Sequence, residues 1–197
     1  MLIAAVFAVT VVASAQAAPP ATPQKLFESG KIQEAIDSIK ARADAPPDQV
    51  YLLAMAQRKL NQNDEAKETL GTLAAGEDGA WKSIGASAVA LADGNLDAAD
   101  EASKKAVEQD GGSAQAHYQL GLVESARGNQ MPAATAFAKA AELDPQMAYA
   151  HYEAGMAFYK AKRVDRMAVY FENFLKLAPN APEAPAVKSI MKTVRGR

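Results

Sequence analysis

Apolar and polar positions recur along this chain with a period of 34 residues. The clearest recurrences pair His117 with His151, Tyr118 with Tyr152, Gly121 with Gly155, and Pro145 with Pro179. A fixed period of this length indicates a repeat protein, in which each unit buries its apolar side against the next unit. Because proline cannot continue a helix, the recurring proline marks the end of a helical unit.

The stretch 114–147 resembles a tetratricopeptide repeat, a unit made of helix A, a tight turn and helix B. Gly121 stands at the position where the two helices nearly touch, and Gly128 stands in the turn between them. The small, large and small positions of helix B are Ala133, Phe137 and Ala140. The resemblance implies an all-α fold, namely an α-solenoid in which helix-turn-helix repeats form a right-handed superhelix. The alternative is an ordinary helical bundle, which the joint recurrence of glycine, alanine and proline disfavours.

Counting in steps of 34 residues from the unit 114–147 divides the chain into five units and a cap. The predicted units are 22–45, 47–79, 80–113, 114–147 and 148–181, and the first unit has a short helix A. Residues 182–197 are predicted to form a capping helix and a basic tail. One stripe of this helix carries Ala186, Val187, Ile190 and Val194. Such a cap covers the apolar face that the last repeat would otherwise expose.

Composition agrees with a helical protein and excludes several kinds of chemistry. The chain of 197 residues has 45 alanines, against 24 valine, isoleucine and threonine residues together, and alanine is the best helix former. Its net charge of -2 and its 22% of charged residues argue against wholesale disorder and against a strongly basic surface. Because cysteine is absent, disulfides, thiolate metal sites, c-type haem attachment and cysteine nucleophiles are excluded.

Residues 1–17 are predicted to be a secretory signal peptide. No charged side chain precedes Lys25, and the apolar stretch 2–12 is too short to cross a bilayer, which takes about 20 residues. Small-x-small cleavage patterns end at Ala15 and Ala17. No lysine or arginine precedes the apolar stretch, so a short uncleaved anchor and a buried first helix stay open, as does a start upstream of the first methionine. Cleavage would give a periplasmic protein, and the absence of cysteine excludes a lipoprotein anchor.

By the same resemblance, helix A of each unit lines the concave face of the solenoid. The inward-facing positions predict a peptide-binding groove formed by Tyr51, Met55, Trp81, Ile84, Tyr118, Leu122, Tyr149, Tyr152, Met156, Tyr159 and Lys160. Tyrosine and tryptophan are enriched in binding hot spots, and methionine adapts to irregular partners. The groove is therefore expected to take a peptide, a helix or an extended tail of a partner protein. The alternative is that these rings fill the core, which is open above all for Trp81 and Tyr149.

Charge is distributed unevenly, with a balance of -8 over residues 1–159 and +6 over residues 160–197. The basic C-terminal end could meet an acidic partner, and it is the only part suited to contact anionic lipid headgroups. A solvated capping helix with cations near its C-terminus explains the same charges more simply. No DNA-binding motif accompanies them, so nucleic acid is not expected as a partner.

The sequence contains none of the motifs that mark common catalytic sites, such as a phosphate-binding glycine loop, His-Glu-x-x-His or Gly-x-Ser-x-Gly. His117 and His151 lack a third ligand at the same spacing, so we expect core or rim histidines and no metal or other cofactor. The sequence therefore predicts a non-catalytic interaction scaffold or assembly module in the bacterial cell envelope. A self-associating or membrane-apposed structural spacer is the alternative, and an enzyme is the least favoured interpretation.

Overall fold

The computed structural model describes residues 21–195, so the predicted signal peptide lies outside the described residues. Within this part all regular structure is helical: α1 (Pro23–Glu28), α2 (Ile32–Lys40), α3 (Pro47–Lys59), α4 (Asn63–Ala74), α5 (Ala80–Ala92), α6 (Leu96–Gln109), α7 (Ala114–Ala126), α8 (Gln130–Leu143), α9 (Ala148–Lys160), α10 (Val164–Leu177) and α11 (Ala184–Arg195). The predicted all-α fold is confirmed. None of the helices between residues 21 and 195 has the length and apolarity needed to cross a bilayer.

The helices pack as five consecutive hairpins followed by a single helix. Each odd-numbered helix from α1 to α9 packs against the even-numbered helix after it, and that helix packs against the next hairpin. Two pairs of successive odd-numbered helices also touch, α1 with α3 and α5 with α7. We call the side of the array formed by the odd-numbered helices, helix A of each hairpin, its inner face. Helix α11 packs on α10. The arrangement is an α-solenoid, as predicted.

One backbone motif closes helix A in all five hairpins. A residue with left-handed backbone ends the helix in each case: Gly30, Asn61, Gly94, Gly128 and Lys162. The next N–H donates to the carbonyl five residues earlier, as Asn129 donates to Glu124 over 2.9 Å. This is the Schellman motif, which satisfies helix-end carbonyls and favours glycine at its left-handed position. The same local solution therefore sets the turn of every hairpin.

Helix A and helix B of a hairpin approach most closely at the repeating glycine. A Cβ atom on Gly121 would lie 2.6 Å from the ring of Phe137, and one on Gly155 would lie 2.4 Å from the ring of Phe171. The third hairpin has Ser87 instead, and its hydroxyl donates to the backbone carbonyl of Ala99 in helix B over 2.8 Å. A small residue at this position therefore allows the two helices to pack without a gap.

Candidate functional site on the inner face

The inner face is closed by a contact between the two ends of the array. Phe27 of α1 packs on Tyr149 of α9, with ring centroids 5.0 Å apart. The Oε1 atom of Glu28 accepts a hydrogen bond from the backbone N–H of Ala148 over 3.4 Å, although the two residues are 120 positions apart in the chain. The curvature is therefore tight enough to bring the first hairpin against the fifth.

Lys59, the last residue of α3, lies at the centre of this contact. Its Nζ atom lies 4.4 Å from the ring centroid of Tyr149 and 5.6 Å from that of Phe27, and it forms an ion pair with Glu183. The Tyr149 hydroxyl donates to Oε2 of Glu183 over 2.8 Å. Although burial raises the pKa of the Glu183 carboxyl, the hydrogen bonds from Lys59 and Tyr149 leave this pKa below its ordinary value. Glu183 is thus held in its charged form.

The structure buries four of the eleven predicted groove residues. The exposed fractions are 4% for Tyr51, 0% for Ile84, 1% for Tyr118 and 4% for Tyr149. Tyr118 packs edge-on against the ring of Phe137, with centroids 5.4 Å apart. The prediction of an open groove is therefore wrong at these positions, because the tight curvature turns inward-facing side chains into core residues.

A buried polar chain crosses the inner face from α3 to α7. The hydroxyl of Tyr51 donates to Oε1 of Gln119 over 2.8 Å, and Nε2 of Gln119 donates to Ser87 over 3.2 Å. Burial raises the pKa of the Tyr51 hydroxyl, so it remains a donor. The pocket lined by Tyr51, Met55 and Gln119 has a volume of about 10 Å³, scarcely enough for one water molecule. This part of the inner face cannot receive a peptide without opening.

The substitution Tyr51→Phe tests this polar chain. It removes the donor to Gln119 while keeping the ring, so a buried amide oxygen loses its partner and we expect about 1 kcal/mol of lost stability in urea unfolding. The matched control is Tyr159→Phe, because Tyr159 is 42% exposed and water can bond to its hydroxyl in the folded and unfolded states alike. Equal losses in both variants would show that the hydrogen bond to Gln119 contributes nothing.

The other predicted groove residues keep some exposure, and three of them occupy related positions on α7 and α9. Leu122 and Met156 take the same position in neighbouring helices α7 and α9, and both are partly buried. Tyr159, one turn further along α9, is 42% exposed. We call Leu122, Met156 and Tyr159 the apolar edge. Lys160 beside it is exposed, whereas Met55, Trp81 and Tyr152 are partly buried against the core.

Glu153 lies on the inner side of α9 without a hydrogen bond from any residue between 21 and 195. Burial raises the pKa of its carboxyl to about 7, the nearby cations Lys160 and Lys59 oppose this rise, and Glu183 adds to it. The same carboxyl raises the pKa of Tyr152, after the larger effect of burial on that ring. Glu153 is therefore a titratable group near neutral pH on the inner face.

Each of the two histidines forms a hydrogen bond with a backbone carbonyl in the turn between two hairpins. The Nε2–H of His117 donates to the carbonyl of Gly111 over 3.1 Å, and that of His151 donates to the carbonyl of Pro145 over 3.2 Å. Burial lowers the pKa of His151, against the opposing effect of the Pro145 carbonyl. The part of the chain that the structure describes holds no group of three His, Asp or Glu side chains that could bind a metal ion.

Sequence reasoning missed three residues of the closing contact, namely Phe27, Glu28 and Glu183. Their pairing joins positions more than 100 residues apart, which periodicity does not reveal. The side-chain caps of the helices do not indicate this contact either. Ser113 caps α7 by accepting from the N–H of Ala116, whereas the residue before α9 is Met147, which has no capping side chain. Because α2, α3, α4, α5, α8 and α10 also start without a side-chain cap, the missing cap did not single out α9.

Comparison with known proteins gives the structural class of this array and identifies repeats of one family within it. Five stacked helical hairpins and a final helix define an α-solenoid of the helical-repeat class. A model of the tetratricopeptide repeat matches residues 50–75 and 149–181. The chain therefore contains tetratricopeptide repeats, as the resemblance predicted. Proteins of this family generally mediate protein–protein interactions and are typically non-catalytic modules.

Solved structures support the fold. The thermophilic tetratricopeptide-repeat protein TTC0263 of Thermus thermophilus is 20% identical, with a TM-score of 0.61 over 87% of this chain and 94% of that protein. YrrB, described as having an unusual peptide-binding site, is 19% identical, with a TM-score of 0.53 over 85% of this chain and 88% of YrrB. MamA is 21% identical, with a TM-score of 0.50 over 81% of this chain and 96% of MamA. No curated protein matches the chain.

Proposed function

We propose that this protein is a non-catalytic scaffold of the bacterial cell envelope that binds a segment of a partner protein on the apolar edge. The observation that carries the proposal is the 42% exposure of Tyr159, which lies beside Met156 on a helix A of the array. An exposed tyrosine next to partly exposed methionine and leucine is a composition typical of binding hot spots. The envelope location rests on the predicted signal peptide at residues 1–17.

Charge next to the apolar edge favours an acidic partner segment. Lys160, Lys162, Arg163 and Arg166 follow Tyr159 within seven positions, and all four are exposed. Arg163 forms an ion pair with Asp165 at 3.7 Å, and the guanidinium of Arg166 lies 5.9 Å from the ring centroid of Phe158. Exposed cations beside an apolar anchor speed the approach of an acidic segment and fix its orientation. We therefore expect the partner segment to combine an apolar anchor with aspartate or glutamate residues.

The test is cross-linking followed by capture of the partner in cells that produce the full chain. The double variant Tyr159→Ala/Met156→Ser removes the anchor of the apolar edge and should reduce partner recovery at least tenfold. Val169→Ser is the matched control, because Val169 is 56% exposed on helix B and lies outside the edge. Equal recovery by the double variant and the control would refute binding at this edge.

A self-associating spacer is the second candidate, and the uneven charge favours it. The balance of -8 before residue 160 and +6 from residue 160 onward permits an end-to-end contact between copies. Sedimentation at low and high salt tests this candidate, since an association driven by charge weakens as salt rises. A monomer at both salt concentrations excludes it. Binding to anionic vesicles through Lys188 and Lys192, which are exposed on α11, would instead support the membrane-apposed form.

A further inference from the structure

We propose that α1 is an internal ligand of the inner face, and that it occupies a site for partner segments in which an aromatic residue precedes a carboxylate. In the closed array Phe27 and Glu28 supply this pair, and both are buried, at 2% and 1% exposure. The residues that receive them are Tyr149, Lys59 and the first turn of α9. This site is separate from the apolar edge.

The carboxylate half of the site is the N-terminus of α9. The first N–H groups of a helix have no partner within it, and the helix dipole favours an anion there. Met147 provides no side-chain cap, whereas Ser113 caps the equivalent helix α7. Glu28 approaches this end of α9 from the first hairpin. Its Oε1 atom, which also accepts from Nε2 of Gln24 over 2.8 Å, lies 3.4 Å from the N atom of Ala148, and its Oε2 atom pairs with Lys25 at 3.0 Å. A carboxylate supplied by another protein would meet the same N–H group.

The aromatic half of the site lies between Tyr149 and Lys59. The ring of Phe27 is tilted by 56° against the ring of Tyr149, an arrangement in which edges and faces attract. The Lys59 ammonium lies 5.6 Å from the Phe27 ring centroid, within reach of a cation–π interaction. Glu183 holds both the ammonium and the Tyr149 hydroxyl in place. The site is thus built for a ring and a carboxylate side by side.

Two observations indicate that α1 can leave this site. The helix has only six residues, Pro23–Glu28, so it has little stability of its own. A cavity of about 330 Å³ lies at the junction of the two ends, lined by Leu26 and Lys31 on one side and by Leu177, Pro179 and Asn180 on the other. A junction with such a gap holds more weakly than the continuous core within the array.

Tethering explains how α1 competes with a partner. A segment on the same chain acts at an effective concentration of about 1 mM, so an external segment must bind tightly or α1 must be weakened. Release of α1 also removes the Phe27–Tyr149 and Glu28–Ala148 contacts between the first and fifth hairpins, whereas Lys59 of α3 keeps its ion pair with Glu183. Occupancy of the site by a partner is thereby coupled to the opening of the array.

The first experiment measures binding of a fluorescent peptide with the sequence of residues 22–30, TPQKLFESG, by anisotropy. The full-length variant Phe27→Ala/Glu28→Gln, which empties the site, should bind this probe at least tenfold more tightly than the wild type. A probe with the same two replacements should not bind, and adding Lys59→Met to the variant should weaken binding at least fivefold. Equal binding by variant and wild type, including no binding by either at 1 mM, overturns the proposal.

The second experiment measures closure directly. The chain has no cysteine, so spin labels at Lys31→Cys and Asn180→Cys report the distance between the two ends without background labelling. We expect a narrow distribution in the wild type and a broader, longer one in Phe27→Ala/Glu28→Gln. A label pair at Glu65→Cys and Ala98→Cys, in adjacent hairpins, should not change. An unaltered Lys31–Asn180 distance distribution in the variant overturns the proposal. The variant Tyr159→Ala/Met156→Ser should change neither the peptide binding nor this distance distribution, so both experiments are independent of the proposed function.

Discussion

Replacement of Gly121 by alanine will lower the free energy of unfolding by about 2 kcal/mol. The new Cβ would lie 2.6 Å from the Phe137 ring, and Phe137 has no exposed surface through which it could move aside. Overpacking in a filled core costs about 1–3 kcal/mol, which exceeds the gain of up to about 1 kcal/mol from replacing a helical glycine. The measurement is urea unfolding of the full chain.

Two further variants sharpen this prediction. Gly155→Ala should behave like Gly121→Ala, because its Cβ would lie 2.4 Å from the ring of Phe171 in α10, the second helix of the same hairpin. Gly71→Ala in α4 is the control, since no atom lies within 4 Å of its added Cβ, and we expect it to stabilise the protein by about 0.5–1 kcal/mol. A stabilised Gly121→Ala would contradict the close approach of helix A to helix B.

The features that the sequence predicts correctly are those in which residues close in the chain decide the outcome. Helices α8 and α10 end two residues before Pro145 and Pro179, because a proline ring blocks the turn before it. Gly121 marks the contact with Phe137 in the second helix of its own hairpin. Such features repeat from unit to unit, so a period in the sequence reveals them.

The features that the sequence could not predict depend on the curvature of the whole array. A small rotation between neighbouring repeats accumulates over five hairpins, and no single unit encodes the sum. The total rotation decides whether Tyr51 lines an open groove or forms a hydrogen bond with Gln119, 68 positions away. It also decides that Phe27 meets Tyr149. The period therefore reveals which positions face inward, but it does not reveal how exposed they are.

Two carboxyl groups on the inner face make the stability of the protein depend on pH in opposite directions. Glu183 is paired with Lys59 and Tyr149, and the pKa of its carboxyl lies below the ordinary value, so its contribution to stability is lost as the solution becomes acidic. Glu153 has no hydrogen-bond partner within residues 21–195, and burial raises the pKa of its carboxyl from 4.5 to about 7. Between these values the folded protein binds more protons at Glu153 than the unfolded chain does. Its contribution therefore makes stability fall as pH rises from about 4.5 to about 7.

Glu153→Gln should accordingly stabilise the protein at pH 8 and have little effect at pH 4.5. One unit of pKa corresponds to about 1.4 kcal/mol, and the side chain keeps some access to solvent, so we expect a gain of about 2 kcal/mol at pH 8. Urea unfolding at pH 4.5, 6 and 8 measures the difference, with Glu101→Gln on the exposed side of α6 as the control. The cations Lys59 and Lys160 and the carboxylate of Glu183 stay in place in this variant. A stability difference that is the same at all three pH values would mean that burial of the ionised Glu153 carboxylate does not destabilise the folded protein.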